Sequence, residues 1–142
     1  MKIASFNVNS VRARLPVIVS WLQSRQPDVL AMQETKVQDE EFPQVPFAEA
    51  GYTCVFRGQK SYNGVAVAVK GPIADVQFGL PDEPRDEARL LRARIGDLIV
   101  VNTYVPQGYL ATSERFQYKL DWFRRLLDYF RANFRPTDSV LW

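Results

Sequence analysis

The 142-residue sequence predicts an α/β fold in a single domain, since this length is sufficient for one core. Short apolar runs alternate with stretches of helical periodicity, which is the pattern of strands joined by helices. Two of the runs, GVAVAV and LIVVNTYV, are apolar enough to be central strands with both faces covered. A long segment near the C-terminus has apolar residues at steps of three and four, the period of an amphipathic helix.

The first half of the chain predicts a strand–helix–strand unit followed by two further strands. The run KIASFNV forms the first strand and ends at Asn7. We expect the helix to begin near Leu15, because Pro16 is favoured in a first helical turn, and to end at Pro27. The run DVLAMQ is a buried strand. A short helix, the strand in GYTCVF and the strand GVAVAV follow it.

The second half predicts a hairpin and a long helix. Gly96 and Asp97 form the two-residue turn of the hairpin ARLLRARIGDLIVVNTYV. The segment GLPDEPRDE before it is the most loop-like stretch. The final helix is expected to bury one face, made by Phe116, Leu120, Phe123, Leu127, Phe130 and Phe134. After Pro136, the residues VLW indicate the start of a buried strand.

Composition excludes several classes of function. The chain has no histidine, which rules out His-based catalysis and His metal sites within these residues, and its net charge is only +2. Cys54 is the single cysteine, so a disulfide framework is excluded and a reducing, cytoplasmic setting is expected. No N-terminal signal peptide and no membrane-spanning stretch are evident, so no membrane partner is expected.

Polar residues follow several apolar runs at the point where each run ends. Asn7 and Glu34 end the first two strands, and Tyr104 ends the second strand of the hairpin. If the first two strands are parallel, Asn7 and Glu34 emerge at the same edge of the sheet. One carboxylate and one amide suit Mg²⁺, which takes few protein ligands. The alternatives are a solvated loop carboxylate, a turn-forming Asn and a half-buried packing Tyr.

Loops after these strands carry side chains that fit a phosphate backbone. Arg12 and Lys36 lie in the two loops that follow Asn7 and Glu34. Tyr62, Asn63 and Gln107 add aromatic and amide groups from two other loops, RGQKSYNG and NTYVPQG. The alternative is that these are ordinary charged or polar loop residues.

Taken together, the segments SFNVNSVRAR, QPDVLAMQETKV, GYTCVFRGQKSYNGVAVAVK and VNTYVPQG resemble exodeoxyribonuclease III-like AP endonucleases of the endonuclease/exonuclease/phosphatase superfamily. The resemblance covers the whole chain. It implies a DNase I-like α/β sandwich of two sheets, of which residues 1–142 are about the first half, the N-terminal portion of one domain. Members hydrolyse the phosphodiester beside an abasic site and trim 3′ ends of double-stranded DNA, which implies a nucleoid-associated location.

The resemblance also implies roles for individual residues. Glu34 is the principal Mg²⁺ ligand, with Mn²⁺ as a substitute, and Asn7 orients the cluster of metal and phosphate. Tyr104 bears on the scissile phosphate or the attacking water. The implied DNA contacts are Arg12, Lys36, Tyr62, Asn63 and Gln107.

The chain departs from the family pattern in what it lacks. Members are longer, and their second half supplies a Gly-Asp-x-Asn segment and an Asp-His pair, neither of which occurs here. We therefore expect this chain to be incomplete and inactive alone, to leave much of one sheet's inner face exposed, and to need the missing C-terminal half as a partner. The remaining alternatives are the phosphatase branch of the superfamily and a non-catalytic half-protein that binds DNA.

Overall fold

The computed structural model describes residues 1–81 and 87–142, which form two four-stranded sheets and the helices that cover them. Among these residues, no helix is long and apolar enough to cross a membrane. The helices are α1 (Val11–Arg25), α2 (Gln44–Glu49), α3 (Glu114–Asn133) and a 3-10 turn at Asp39–Glu41. The strands are β1 (Ile3–Asn7), β2 (Val29–Gln33), β3 (Thr53–Arg57), β4 (Val65–Val69), β5 (Ala74–Phe78), β6 (Leu90–Ile95), β7 (Leu98–Thr103) and β8 (Val140–Leu141).

Both sheets are mixed. The first has the order β1-β2-β4-β3 and the second the order β5-β6-β7-β8. The expected parallel pairing of the first two strands is confirmed, and it sets Asn7 beside Gln33. The remaining pairs are antiparallel except for β7 and β8, which are parallel. The carboxyl ends of β1 and β2 therefore lie at one edge of the first sheet.

The sheets pack face to face, and alternate residues along each strand divide the core into three apolar layers. One set faces the other sheet, as Val29 and Val67 of the first sheet and Leu91 and Val100 of the second do. The opposite faces are covered by helices, with α1 and α2 on the first sheet and α3 on the second. This period of two in the side chains confirms the predicted two-sheet α/β sandwich.

The first helix begins earlier than the sequence predicts. It starts at Val11, not near Leu15, and contains Pro16 in its interior. Ser10 caps it, because its hydroxyl accepts a hydrogen bond from the Ala13 amide at 3.3 Å. Val11 is fully buried, so its packing and the cap outweigh the one backbone hydrogen bond that Pro16 cannot donate.

The buried face of α3 also differs from the predicted one. Trp122, Leu126 and Tyr129 are buried against the second sheet, whereas Leu120 and Leu127 are largely exposed. Three residues of the predicted face are partly buried and pack at the margin of this cluster, namely Phe123, Phe130 and Phe134. The helix carries apolar residues around most of its circumference, so the sheet selects a stripe that periodicity alone does not identify.

The structure also describes the hairpin, the C-terminal run and the region around the loop-like segment. The hairpin is confirmed, with Ile95 paired to Leu98 across the predicted turn. The C-terminal run forms β8 but is not buried, since Leu141 is 40% exposed. The edge strand β5 was not predicted, and residues 82–86 of the loop-like segment lie outside the described residues.

The expectation that one sheet's inner face lies exposed is wrong in its main part. Both sheets are built by this chain, and the inner faces of β4 and β6 bury each other. Exposure remains at the margins of the sandwich. The edge strands β1 and β8 border a slot of about 760 Å³ on one side, and β5 is exposed along its length at the opposite edge of the second sheet. The slot is open because β1 and β8 each have a neighbouring strand on one side only.

Candidate metal and DNA-binding site

Three of the predicted site residues meet at the carboxyl ends of their strands. The Asn7 side-chain amide donates a hydrogen bond of 2.7 Å to the Glu34 carboxylate. The Tyr104 hydroxyl, which comes from the second sheet, lies close enough to the same carboxylate to lower its pKa. The packing of the two sheets therefore brings Asn7 and Tyr104 to the Glu34 carboxylate.

The backbone that carries Glu34 is strained. Glu34 and Lys36 have φ values of 55° and 53°, in the left-handed region that side chains with a Cβ rarely adopt. Hydrogen bonds hold this turn, because the Ser10 amide donates to the Glu34 carbonyl at 2.8 Å and the Lys36 amide donates to the Asn63 carbonyl at 2.9 Å. Strain that is fixed in this way is typical of functional sites.

Gly64 allows the loop of residues 58–64 to lie against this turn. Its φ is +94°, and a Cβ there would stand only 2.0 Å from Thr35 Oγ1. The Gly64 carbonyl accepts from the Thr35 amide at 3.2 Å. A glycine is thus required for this close approach, which sets Tyr62 and Asn63 beside Glu34 and Lys36.

The charge of Glu34 is stabilised by its neighbours. Partial burial by itself raises the pKa of this carboxyl, but the neighbouring Asn7, Lys36 and Tyr104 outweigh that effect and hold the pKa below its usual value. The Lys36 ammonium lies 3.1 Å from the carboxylate. Glu34 is consequently ionised at neutral pH and available to a cation.

Tyr104 is held as a hydrogen-bond donor. Burial raises the pKa of its hydroxyl, and the Glu34 carboxylate raises it further, although the Arg89 guanidinium opposes this in part. That guanidinium lies 5.0 Å from the centre of the Tyr104 ring and donates to the Tyr104 carbonyl at 3.3 Å. Arg89 therefore fixes the ring from one side while Glu34 fixes the hydroxyl.

Most of the predicted DNA contacts line one cleft of about 880 Å³, which we call the strand-end cleft. Its walls include Glu34, Lys36, Tyr62, Asn63, Tyr104 and Gln107. Arg12 is not among the residues that line it. Arg12 belongs to α1, not to a loop as expected, and pairs with Glu41 at 3.4 Å.

The sequence does not predict the roles of two further residues at the site, Asn102 and Arg89. Asn102 is 4% exposed and donates to the Met32 and Ala66 carbonyls across the two sheets, a role that its position within an apolar run does not indicate. Arg89 was missed altogether. The predicted hairpin turn indicates its position. The turn fixes the pairing of β6 with β7, and one further step of that pairing places Arg89 opposite Tyr104.

The donor groups at the site fit Mg²⁺ better than a transition metal. Among the described residues, no group of three or more His, Cys, Asp or Glu side chains could hold a metal ion. Glu34 is a single ionised carboxylate beside an amide, and Mg²⁺ is commonly held by one or two carboxylates together with water and substrate phosphate.

Comparison with known proteins identifies the family of the chain. The model of the endonuclease/exonuclease/phosphatase family matches residues 4–142. Exodeoxyribonuclease III of Haemophilus influenzae is 33% identical over 147 residues, covering 99% of this chain and 55% of that protein.

Solved structures of DNA-processing enzymes also resemble this chain. An AP endonuclease from Archaeoglobus fulgidus is 50% identical with a TM-score of 0.92, covering 95% of this chain and 52% of that chain. The 3′ phosphatase NExo from Neisseria, bound to a product DNA hairpin, is 38% identical with a TM-score of 0.87, covering 93% and 52% respectively. The chain spans about half the length of these relatives. Its match over residues 4–142 shows that it belongs to the endonuclease/exonuclease/phosphatase family, with exodeoxyribonuclease III and AP endonucleases among its homologues.

Proposed function

We propose that this chain supplies one side of the site of a Mg²⁺-dependent DNA-repair phosphodiesterase of the exodeoxyribonuclease III type, with AP endonuclease and 3′–5′ exonuclease activity. The observation that carries the proposal is the Glu34 carboxylate, which accepts a hydrogen bond from Asn7 and lines the strand-end cleft together with Tyr104. Such an arrangement fixes an ionised oxygen ligand where a DNA phosphate can reach it.

Each residue of the site has a distinct role in this proposal. Glu34 binds the cation, and the Asn7 amide keeps the carboxylate in one orientation by donating to Oε1. Mg²⁺, when bound, stabilises negative charge on phosphate oxygens and supplies an oriented water. The Tyr104 hydroxyl is protonated at neutral pH and donates to the scissile phosphate or to the attacking water.

DNA is the substrate that we propose for this cleft. Lys36, Asn63 and Gln107 offer an ammonium and two amides along one wall, and these groups bind phosphate and sugar oxygens without reading sequence. The Neisseria relative, described with a product DNA hairpin, supports the same substrate class. Abasic sites and 3′ ends are the positions at which we propose that cleavage occurs.

We further propose that the remaining catalytic groups come from a second half of the same fold. β8 runs parallel to β7, so residues that follow β8 in such a half emerge at the edge that holds Tyr104. Alone, the 142 residues should bind Mg²⁺ and DNA weakly and cleave abasic-site DNA at no useful rate. Robust Mg²⁺-dependent nicking by the chain alone, abolished by Glu34→Ala, would contradict this.

A chimera tests the proposal directly. The matching half of the Archaeoglobus fulgidus AP endonuclease is replaced by residues 4–142 of this chain, and the product is assayed on abasic duplex, on 3′-ended duplex and on inositol phosphates. We expect Mg²⁺-dependent cleavage of both DNA substrates. A folded chimera that hydrolyses inositol phosphates in preference would assign the chain to the phosphatase branch. Salt-sensitive DNA binding without any cleavage would assign it a non-catalytic role.

A further inference from the structure

A loop on the rim of the strand-end cleft presents two apolar side chains to solvent. Tyr109 and Leu110 are 63% and 74% exposed. The loop is nevertheless held in place, because the Ser113 hydroxyl donates to the Gly108 carbonyl at 2.9 Å and the Ser113 amide donates to the Leu110 carbonyl at 2.9 Å. Exposure here is therefore built into a fixed turn that precedes α3.

The backbone of this turn is tightly packed and strained. Gly108 packs so closely on α3 that a Cβ there would lie 2.9 Å from a ring carbon of Phe116. Tyr109 follows with a φ of 55°, in the left-handed region. A strained, hydrogen-bonded loop that exposes an aromatic ring calls for a reason other than packing, because a buried ring would have stabilised the fold more.

Tyr109 has a cationic partner in the same cleft. The Arg115 guanidinium lies 4.8 Å from the centre of the Tyr109 ring. Both residues line the strand-end cleft together with Glu34 and Tyr104. The guanidinium thus lies over one face of the Tyr109 ring, in the cleft that holds the proposed reaction centre.

Charge alone does not make this cleft attractive to DNA. Among the described residues that line it, the acidic side chains Glu34, Glu87 and Glu114 equal in number the basic side chains Lys36, Arg89 and Arg115. An uncharged contribution is therefore needed to hold a nucleic acid there, and stacking on an aromatic face is the usual one.

We infer that Tyr109, supported by Arg115, is a stacking platform for an unpaired nucleobase. The inference rests on the proposed function in one respect, namely that DNA occupies the strand-end cleft. It adds a substrate preference, because a base can reach the ring only when it has left the duplex. Frayed or single-stranded 3′ ends should consequently bind better than fully paired ends.

The test measures stacking without catalysis. The 142-residue chain is titrated in EDTA into a short single-stranded oligonucleotide that contains 2-aminopurine, whose fluorescence is quenched when it stacks. We expect quenching by the wild-type chain and by Tyr109→Phe. In Tyr109→Ser the quenching is lost and the affinity falls about 10-fold, as expected for removal of one stacked ring. Leu110→Ser is the matched control, since it alters an equally exposed neighbour and should change neither value.

A second measurement identifies the contact without any substitution. Irradiation of the wild-type chain with an oligonucleotide that carries 5-iodouracil should attach it to Tyr109, as read by peptide mass spectrometry. The inference is overturned if the wild-type chain does not quench 2-aminopurine, if Tyr109→Ser binds like the wild type, or if the adduct forms elsewhere. Failure of the chimera to cleave DNA, with quenching intact, would overturn the nuclease proposal and leave the platform standing.

Discussion

At the scale of single residues, the Glu34 carboxylate is the group on which the candidate site depends. Donors from both sheets and from the following turn converge on it: Asn7, Lys36 and Tyr104. Each of these donors is fixed by a strand end or a hydrogen-bonded loop, so little reorganisation is needed before a cation binds. Preorganisation of this kind is how an enzyme stabilises charge on a phosphate.

Asn102 connects the two sheets directly beneath this site. Its amide nitrogen donates to the Met32 and Ala66 carbonyls at 2.8 Å and 2.9 Å, and its oxygen accepts from Gln33 at 2.7 Å. We predict that Asn102→Ala lowers the free energy of unfolding by about 2–3 kcal/mol, because buried polar groups lose their partners. Urea denaturation measures this difference.

Asn102→Asp tests the hydrogen bonds without changing the size of the side chain, because an ionised carboxylate cannot donate. At pH 7 its carboxylate would face two carbonyl oxygens, so we predict a loss larger than that of the alanine variant, about 3 kcal/mol or more. Burial raises the pKa of such a carboxyl, and the protonated form can again donate a hydrogen bond. The deficit should therefore shrink as the pH falls towards 5. A deficit that is independent of pH would argue against this role for Asn102.

At the scale of secondary-structure elements, the hairpin was the most predictable part of the site. Its two-residue turn fixes the register, so the pairing that brings Arg89 to Tyr104 follows from Gly96 and Asp97 alone. The parallel pairing of β1 and β2 likewise brought Asn7 and Glu34 to one edge, as predicted. What the sequence could not predict was the meeting of Glu34 with Tyr104, since that depends on how the two sheets pack.

The helices were less predictable because local signals conflict in them. In α1, Pro16 favours a late start, but the Ser10 cap and the burial of Val11 are long-range effects that decide otherwise. In α3, two apolar stripes overlap, and only contact with the second sheet selects the one that contains Trp122 and Leu126. In both cases tertiary packing overrides a local preference.

Pro16 provides a test of this account of α1. Its nitrogen lies where the helix would otherwise donate a hydrogen bond to the Arg12 carbonyl. We predict that Pro16→Ala stabilises the chain by about 1–3 kcal/mol, since it restores that bond and removes a steric conflict. Ser20→Ala, at an exposed position of the same helix, is the control and should have little effect. Unchanged or lower stability of Pro16→Ala would mean that the proline is needed at this position.

At the scale of the whole molecule, the open side of the sandwich is its most unusual feature. β1 and β8 are unpaired sheet edges, and Phe6, Val17 and Trp21 line an apolar pocket of about 320 Å³ beside β1. Exposed edges and apolar patches of this kind promote association between chains. The position of the slot agrees with the proposal that a second half of the fold packs there.

We predict that the isolated chain self-associates and binds a hydrophobic dye through this side. Light scattering after gel filtration and the fluorescence of anilinonaphthalene sulfonate measure the two effects. Phe6→Lys should weaken both, because a charge on the edge strand opposes pairing. Val45→Lys, at a position that is 67% exposed on α2, is the control and should weaken neither, because α2 packs on β3 at the opposite edge of the sheet from β1. A chain that stays monomeric and binds no dye would refute the assignment of this side as an interface.

The central claim is that Glu34 binds the catalytic cation of a DNA phosphodiesterase, and one comparison of rates tests it most directly. In the chimera with the Archaeoglobus fulgidus AP endonuclease, incision of abasic duplex is measured at saturating Mg²⁺ for the unmodified protein, for Glu34→Gln and for Glu49→Gln, an exposed control on α2. We predict that Glu34→Gln lowers the rate about 100-fold while Glu49→Gln leaves it unchanged. Equal rates in the three folded proteins would contradict the account.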